Sequence, residues 1–151
     1  MAKPEYCIRV ARPADDPLVV ALSKLDRFTR DLTAVYARAD LDTFYENRSV
    51  LLGYVRNPRS ITAVGFLYGR HLVRRPYSSL YYMGVDPEAR SHGVGRAMVS
   101  LFLSHSPHGC IQLVCDEPNP ANEFYARVGF QRIGEGASKK GVPFIRWELR
   151  S

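Results

Sequence analysis

Residues Val85-Asp86-Pro87-Glu88-Ala89-Arg90-Ser91-His92-Gly93-Val94-Gly95-Arg96 constrain this chain more than any other stretch. They carry an apolar strand into an amphipathic helix through a loop holding two glycines and two arginines. The strand is predicted over residues 79–85 and the helix over about 93–104. Pro87 and Glu88 turn the chain, while Gly93 and Gly95 lack side chains where backbone N–H groups would close on ligand oxygens. Arg90 and Arg96 add positive charge on both flanks. A helix N-terminus carries about half a positive charge and several unpaired N–H donors, so the segment is suited to a pyrophosphate.

The 151 residues are enough for one domain with a real core and few for two. Hydrophobic residues at 46% and charged residues at 24% are ordinary globular proportions, and no apolar run reaches the roughly eighteen residues of a membrane span. No secretion signal is read at residues 1–6, and an odd number of cysteines, Cys7, Cys110 and Cys115, argues against a disulfide framework. A cytoplasmic home follows as the expectation. The formal charge of +6 favours anionic ligands without choosing among a nucleotide, an acidic protein and nucleic acid.

Hydrophobic periodicity orders the elements. Residues 6–11 alternate as a short strand, and Leu18, Ala21, Leu22, Leu25, Phe28 and Leu32 recur at helical spacing. A weaker helix is predicted over 40–48. Strands over 50–56, 61–70 and 79–85 form an antiparallel meander, with a hairpin turn at 57–60. After the glycine loop and its helix come a buried strand over 110–115, a helix over 120–128, and a closing hairpin of 130–134 and 144–149. Residues 134–141 are expected to form its long loop. The order, roughly βααβββαβαββ, predicts an α/β sheet of mixed direction.

The glycine loop taken alone fits a plain strand-to-helix turn as well as a ligand site. It fails the dinucleotide fingerprint, because Met98 stands where a third glycine belongs, and it lacks the Gly-Lys-Ser/Thr of a phosphate loop. It does fill the pattern Val-x-Pro-x-x-Arg-x-x-Gly-x-Gly with Val85, Pro87, Arg90, Gly93 and Gly95. About thirty residues on, Asn119-Pro120-Ala121-Asn122-Glu123-Phe124-Tyr125-Ala126-Arg127-Val128-Gly129-Phe130 reads as an Asn-Pro turn, a short aromatic-faced helix and a glycine stop. In this order and at this distance, the two motifs resemble the acetyl-coenzyme A signatures of the GNAT superfamily of N-acetyltransferases. The resemblance is specific over residues 80–130, and by element order it extends to the whole chain.

The resemblance implies a GNAT fold, a mixed six- or seven-stranded sheet with splayed central parallel strands and about four flanking helices. It implies acetyl-coenzyme A as acyl donor, with no metal, and a primary amine as acceptor attacked directly in a ternary complex. Met83, Gly84 and Val85 would line the pantetheine arm, Gly84 being the expected bulge. Arg90, Ser91, His92, Gly93, Val94, Gly95 and Arg96 would hold the pyrophosphate, the His92 ring facing solvent. Asn119 would contact the coenzyme, and Tyr125, with an unperturbed pKa of about 10, would protonate the departing thiolate.

The base stays open. Residues 111–115 hold no carboxylate, so Asp116, at the strand's end, is the first candidate, while Asp86 and Glu88 suit turn duty. Tyr81 and Tyr82 fit either a water chain or a cleft lining. Tyr36, Phe44, Tyr45 and Tyr54 fit either an acceptor groove or core packing. His105, His108, Cys110 and Cys115 are set aside as a zinc set, since the two cysteines have opposite strand parity and the histidines end a helix. The acceptor, whether small molecule, protein or tRNA, is not readable, and a homodimer is compatible with the sequence. A catalytically silent coenzyme A-binding sensor is the alternative.

Overall fold

In the computed structural model, residues 5–10 and 48–151 are described. They form a seven-stranded sheet: β1 (Glu5–Val10), β2 (Arg48–Asn57), β3 (Ser60–His71), β4 (Ser78–Val85), β5 (Cys110–Asp116), β6 (Gln131–Ala137) and β7 (Pro143–Arg150). Among the described residues two α-helices occur, α1 (Val94–His105) and α2 (Ala121–Val128), with a short 3-10 turn at Pro87–Ala89. The sheet order is β1-β2-β3-β4-β5-β7-β6, antiparallel throughout except for the central β4–β5 pair. The first expected helix lies outside the described residues. So does the second, apart from its last residue, since Arg48 already opens β2.

α1 forms where its apolar residues fall at helical spacing, and Val94, Met98, Val99 and Phe102 are buried on one sheet face. That face of the sheet supplies Leu51, Leu67, Leu80, Ile111, Leu113, Cys115, Ile145 and Trp147 to the same core. Gly69 makes close helix approach possible: a Cβ there would lie 2.3 Å from Phe102 Cζ. Tyr54 is only 8% exposed but stands outside this cluster, since alternation along β2 turns it to the face opposite Leu51 and Gly53. Tyr36, Phe44 and Tyr45 lie outside the described residues.

The closing hairpin differs from its expectation. β6 runs on to Ala137, so half of the expected loop over 134–141 is strand. Its glycines are admitted because β7 covers them: a Cβ on Gly136 would meet the Phe144 ring at 2.7 Å. The turn that remains is tight, with Ser138 N donating to Val142 O at 2.8 Å and Val142 N to Ser138 Oγ at 3.1 Å.

Candidate active site where the central strands part

The parallel pair is brief. β4 matches β5 only at Ser78 with Ile111 and Ser79 with Gln112, and beyond these the strands separate. A bulge accompanies the parting, but at Tyr81 and not at the expected Gly84. Tyr68 pairs with Tyr82 and Gly69 with Leu80, leaving Tyr81 unmatched, whereas Gly84 pairs regularly with Phe66. The bulge resets the pleat, so Leu80 and Met83, three apart, both pack against the core. Downstream, Asp86 N donates to Val64 O at 2.7 Å. Backbone groups alternate sides along a strand, so those of Met83 and Val85 turn away from β3 toward the opening.

The glycine loop stands above that opening. Asp86 caps the 3-10 turn by accepting from Glu88 N at 3.1 Å, and Arg90 Nε donates to Val85 O at 3.3 Å. Ser91 takes a positive φ of 70° and its hydroxyl donates to Arg90 O. Gly93 follows at φ 79°, with nothing near the position of a Cβ. The first bond of α1 is Ala97 N to Gly93 O, 2.9 Å. Among the described residues the N–H groups of Ser91, His92, Gly93, Val94, Gly95 and Arg96 therefore make no backbone hydrogen bond. Gly95 has a different reason to be glycine: a Cβ there would sit 3.1 Å from Phe124 Cζ, so its absence lets α2 approach α1. His92 is exposed, as expected, and one face of its ring stacks on Tyr6, centroids 4.5 Å apart. Arg96 Nη2 donates to Arg127 O at 3.2 Å, joining the start of α1 to the end of α2.

α2 hangs from β5 by two asparagines. Asn119 Oδ1 accepts from Ala121 N at 2.9 Å, so this side chain caps α2. Asn122 Nδ2 donates to the carbonyls of Asp116, Glu117 and Asn119 at 2.8, 3.2 and 3.0 Å, and its Oδ1 accepts from Trp147 Nε1 at 2.8 Å. Asn122 thus fixes the loop, the helix and β7 together, a role the sequence reading missed because its partners are distant in the chain. Gly129 ends α2 in the left-handed region at φ 114°, with Phe130 N returning to Tyr125 O at 3.0 Å.

Tyr125 is held on the helix face of the sheet, 7% exposed, against Phe124 and Phe130 at centroid distances of 5.6 and 5.4 Å. Its hydroxyl makes no hydrogen bond among the described residues. Burial, with the nearby Cys115 thiol, pushes its pKa well above the usual phenol value, so the hydroxyl is protonated. Burial likewise raises the Cys115 thiol.

Asp116 is not beside Tyr125. β5 alternates Ile111, Leu113 and Cys115 toward the core with Gln112, Val114 and Asp116 on the opposite face, where Asp116 is exposed. That open face carries groups the sequence reading passed over. Gln112 Nε2 donates to Glu148 Oε2 at 2.8 Å, and Arg150 Nε to Glu148 Oε1 at 2.8 Å. The Gln112 bond, aided by Arg150, holds the Glu148 carboxyl below its ordinary range. A cavity of about 190 Å³ opens here between the parted strands, lined by Tyr77, Ser79, Tyr81, Gln112, Val114 and Arg146 among others. Strand alternation was the available signal for this lining. The pairing of β5 with β7, which brings Glu148 and Arg146 alongside, was not.

A family model described as an acetyltransferase (GNAT) domain matches residues 43–132, spanning the parted strands, the loop and α2. The chain belongs to the GNAT acetyltransferase family. This GNAT acetyltransferase is 24% identical over 141 residues, 92% of its length and 96% of the relative's, to the 5-NmdU N-acetyltransferase of Pseudomonas phage PaMx11. Its fold matches that of an aminoglycoside 6'-N-acetyltransferase complexed with coenzyme A, with a TM-score of 0.72 and 16% identity, covering 95% of this chain and 96% of that one. The ribosomal-protein-S18-alanine N-acetyltransferase from Escherichia coli matches with a TM-score of 0.63 and 16% identity, covering 97% and 94%. At such identities these solved structures bear on the fold alone. Among the described residues no helix of this GNAT acetyltransferase is long and apolar enough to cross a membrane.

Proposed function

We propose that the protein transfers an acetyl group from acetyl-coenzyme A to a primary amine by direct attack, with the two substrates meeting through the gap between β4 and β5. The observation that carries this is the parting of the strands after Ser79 and Gln112, with the Tyr125 phenol on one face and a cavity on the other. The residues present suit the donor. Six consecutive N–H groups from Ser91 to Arg96 lack backbone acceptors among the described residues, and Arg90 adds charge, a combination matched to a pyrophosphate. The edge groups of Met83 and the N–H of Val85, turned away from β3, suit the amides of a pantetheine arm, and an N–H among them would donate to the thioester carbonyl. Asn119 spends its Oδ1 on the cap and keeps its Nδ2 as the donor for the coenzyme.

Acetyl-coenzyme A supplies the acetyl group and leaves as a thiol. Tyr125 hands its proton to the departing sulfur: the burial that keeps the phenol protonated also disfavours a bare thiolate there, so proton transfer and bond cleavage are driven together. The amine arrives from the open face and gives up its proton there to water. Asp116 is the first carboxylate on that face and is the proposed relay. Glu148, bound to Gln112 and Arg150, is occupied.

The name of the phage relative supports a modified nucleoside as the acceptor class, and a cavity walled by Tyr77 and Tyr81 suits a planar ring. An engineered cavity of about 150 Å³ holds a benzene, so 190 Å³ admits one six-membered ring with a small substituent. Thiol release from acetyl-coenzyme A, followed across nucleoside, polyamine, aminoglycoside and peptide amines, tests the reading. Acceptor-dependent release is expected. Tight coenzyme binding with no release for any amine would favour the sensor alternative.

A further inference from the structure

Paired residues on neighbouring strands point to the same face, so register places Arg70 of β3 beside Ser79 of β4, Ser79 beside Gln112 of β5, and Gln112 beside Glu148 of β7. This polar row crosses the open face at the base of the cavity. Its end residue is unusual. Arg70 Nε is buried and has no hydrogen-bond partner among the described residues, a condition that asks for an explanation in a folded protein. Arg146, on β7 opposite Val114, lines the cavity from the other side. Its guanidinium lies 5.3 Å from the Phe144 ring centroid, and no ion pair engages it among the described residues. Arg74 and Arg75 precede Tyr77, a wall of the cavity, by three and two residues, and are exposed.

Among the described residues the lining contains no carboxylate. A multiply cationic acceptor would meet the Arg146 charge with no anion in the wall to offset it, which argues against polyamines and aminoglycosides. The Arg146 guanidinium on an aromatic-walled cavity matches an acceptor that carries a planar ring and a phosphate, since the guanidinium fork fits phosphate oxygens two at a time.

We infer that this cavity takes its amine on a phosphate-bearing nucleotide, with Arg146 holding the phosphate, Arg70 adding charge from the adjoining row, and Tyr77 and Tyr81 flanking the ring. The inference rests on the acetyl-transfer reading for what happens to the amine, but not for its binding. A free nucleotide and a nucleic-acid strand share this chemistry, and the test separates them.

Calorimetric titration of the full chain with an aminomethyl-deoxyuridine nucleoside, its monophosphate, and an oligonucleotide carrying the same base supplies the binding readout, with thiol release measured in parallel. The monophosphate is expected to bind about tenfold or more tightly than the nucleoside. That ratio is expected to collapse toward one in Arg146→Gln and to return in part in Arg146→Lys, with Arg70→Gln as the second variant. A further gain for the oligonucleotide that fades with salt identifies a strand as the source; equal binding of monophosphate and oligonucleotide identifies the free nucleotide. Equal binding of nucleoside and monophosphate by the wild type overturns the inference, as does a ratio that Arg146→Gln leaves intact. Absence of thiol release with the phosphate preference intact refutes the transferase reading alone.

Discussion

At the residue scale the protein depends on groups kept protonated by burial. Tyr125 and Cys115 face one another on the helix side of the sheet, and each is pushed toward its neutral form. For Tyr125 the sign is simple: a raised pKa moves loss of the donor proton to higher pH. The turnover number at saturating acceptor is therefore expected to show no alkaline fall from the phenol up to about pH 10, the ordinary tyrosine value. A pH profile checks this. Cys110 and Cys115 are both buried with raised pKa, whereas Cys7 is half-exposed. Thiol-specific labelling of the native protein should accordingly modify Cys7 first, with Cys110 and Cys115 reacting only after denaturation. The roles of single residues were unevenly legible. Tyr125 was visible because its motif travels with the glycine loop. At Gly95 the sequence did not show the packing reason for a glycine, since the Phe124 ring that fills the space of its Cβ comes from a helix about thirty residues on.

At the element scale, tight helix-to-sheet packing and one asparagine hub hold the site in place. Gly69 meets Phe102 so closely that Gly69→Ala should destabilise the fold by ~1–3 kcal/mol through overpacking. Asn122→Ala removes the acceptor of the Trp147 indole and the bonds to three carbonyls, a loss of ~1–3 kcal/mol. Either change should lower the melting temperature by roughly 2–4 °C per kcal/mol, read by calorimetry. Only Asn122→Ala should also slow acetyl transfer, because it alone loosens the helix that carries Tyr125. Element types within the described residues were legible from periodicity, as α1 and the β2–β4 meander illustrate. The bulge was not, since displacement from Gly84 to Tyr81 depends on how β3 and β4 pair, and no single strand encodes its register. The reach of β6 was hidden for a related reason: Gly134 and Gly136 read as loop until the β7 side chains covering them are in place.

At the scale of the whole molecule, the sheet is a wall with a slit, and the reaction assigned to it needs both sides. The proposed donor half was legible in one dimension, because the glycine loop and the helix after it are contiguous in sequence. The acceptor half was not, because Arg70, Ser79, Gln112 and Arg146 come from four strands and meet only through pairing. The central claim is that Tyr125 serves the departing sulfur from the helix face. Its hydroxyl bonds to nothing among the described residues and its ring packs against Phe124 and Phe130, so Tyr125→Phe removes the proton and little else. Single-turnover thiol release by Tyr125→Phe, at saturating acetyl-coenzyme A and amine, is the direct test. A fall of about 10²-fold or more, with coenzyme affinity kept, is the predicted result. A rate equal to that of the wild type would contradict it.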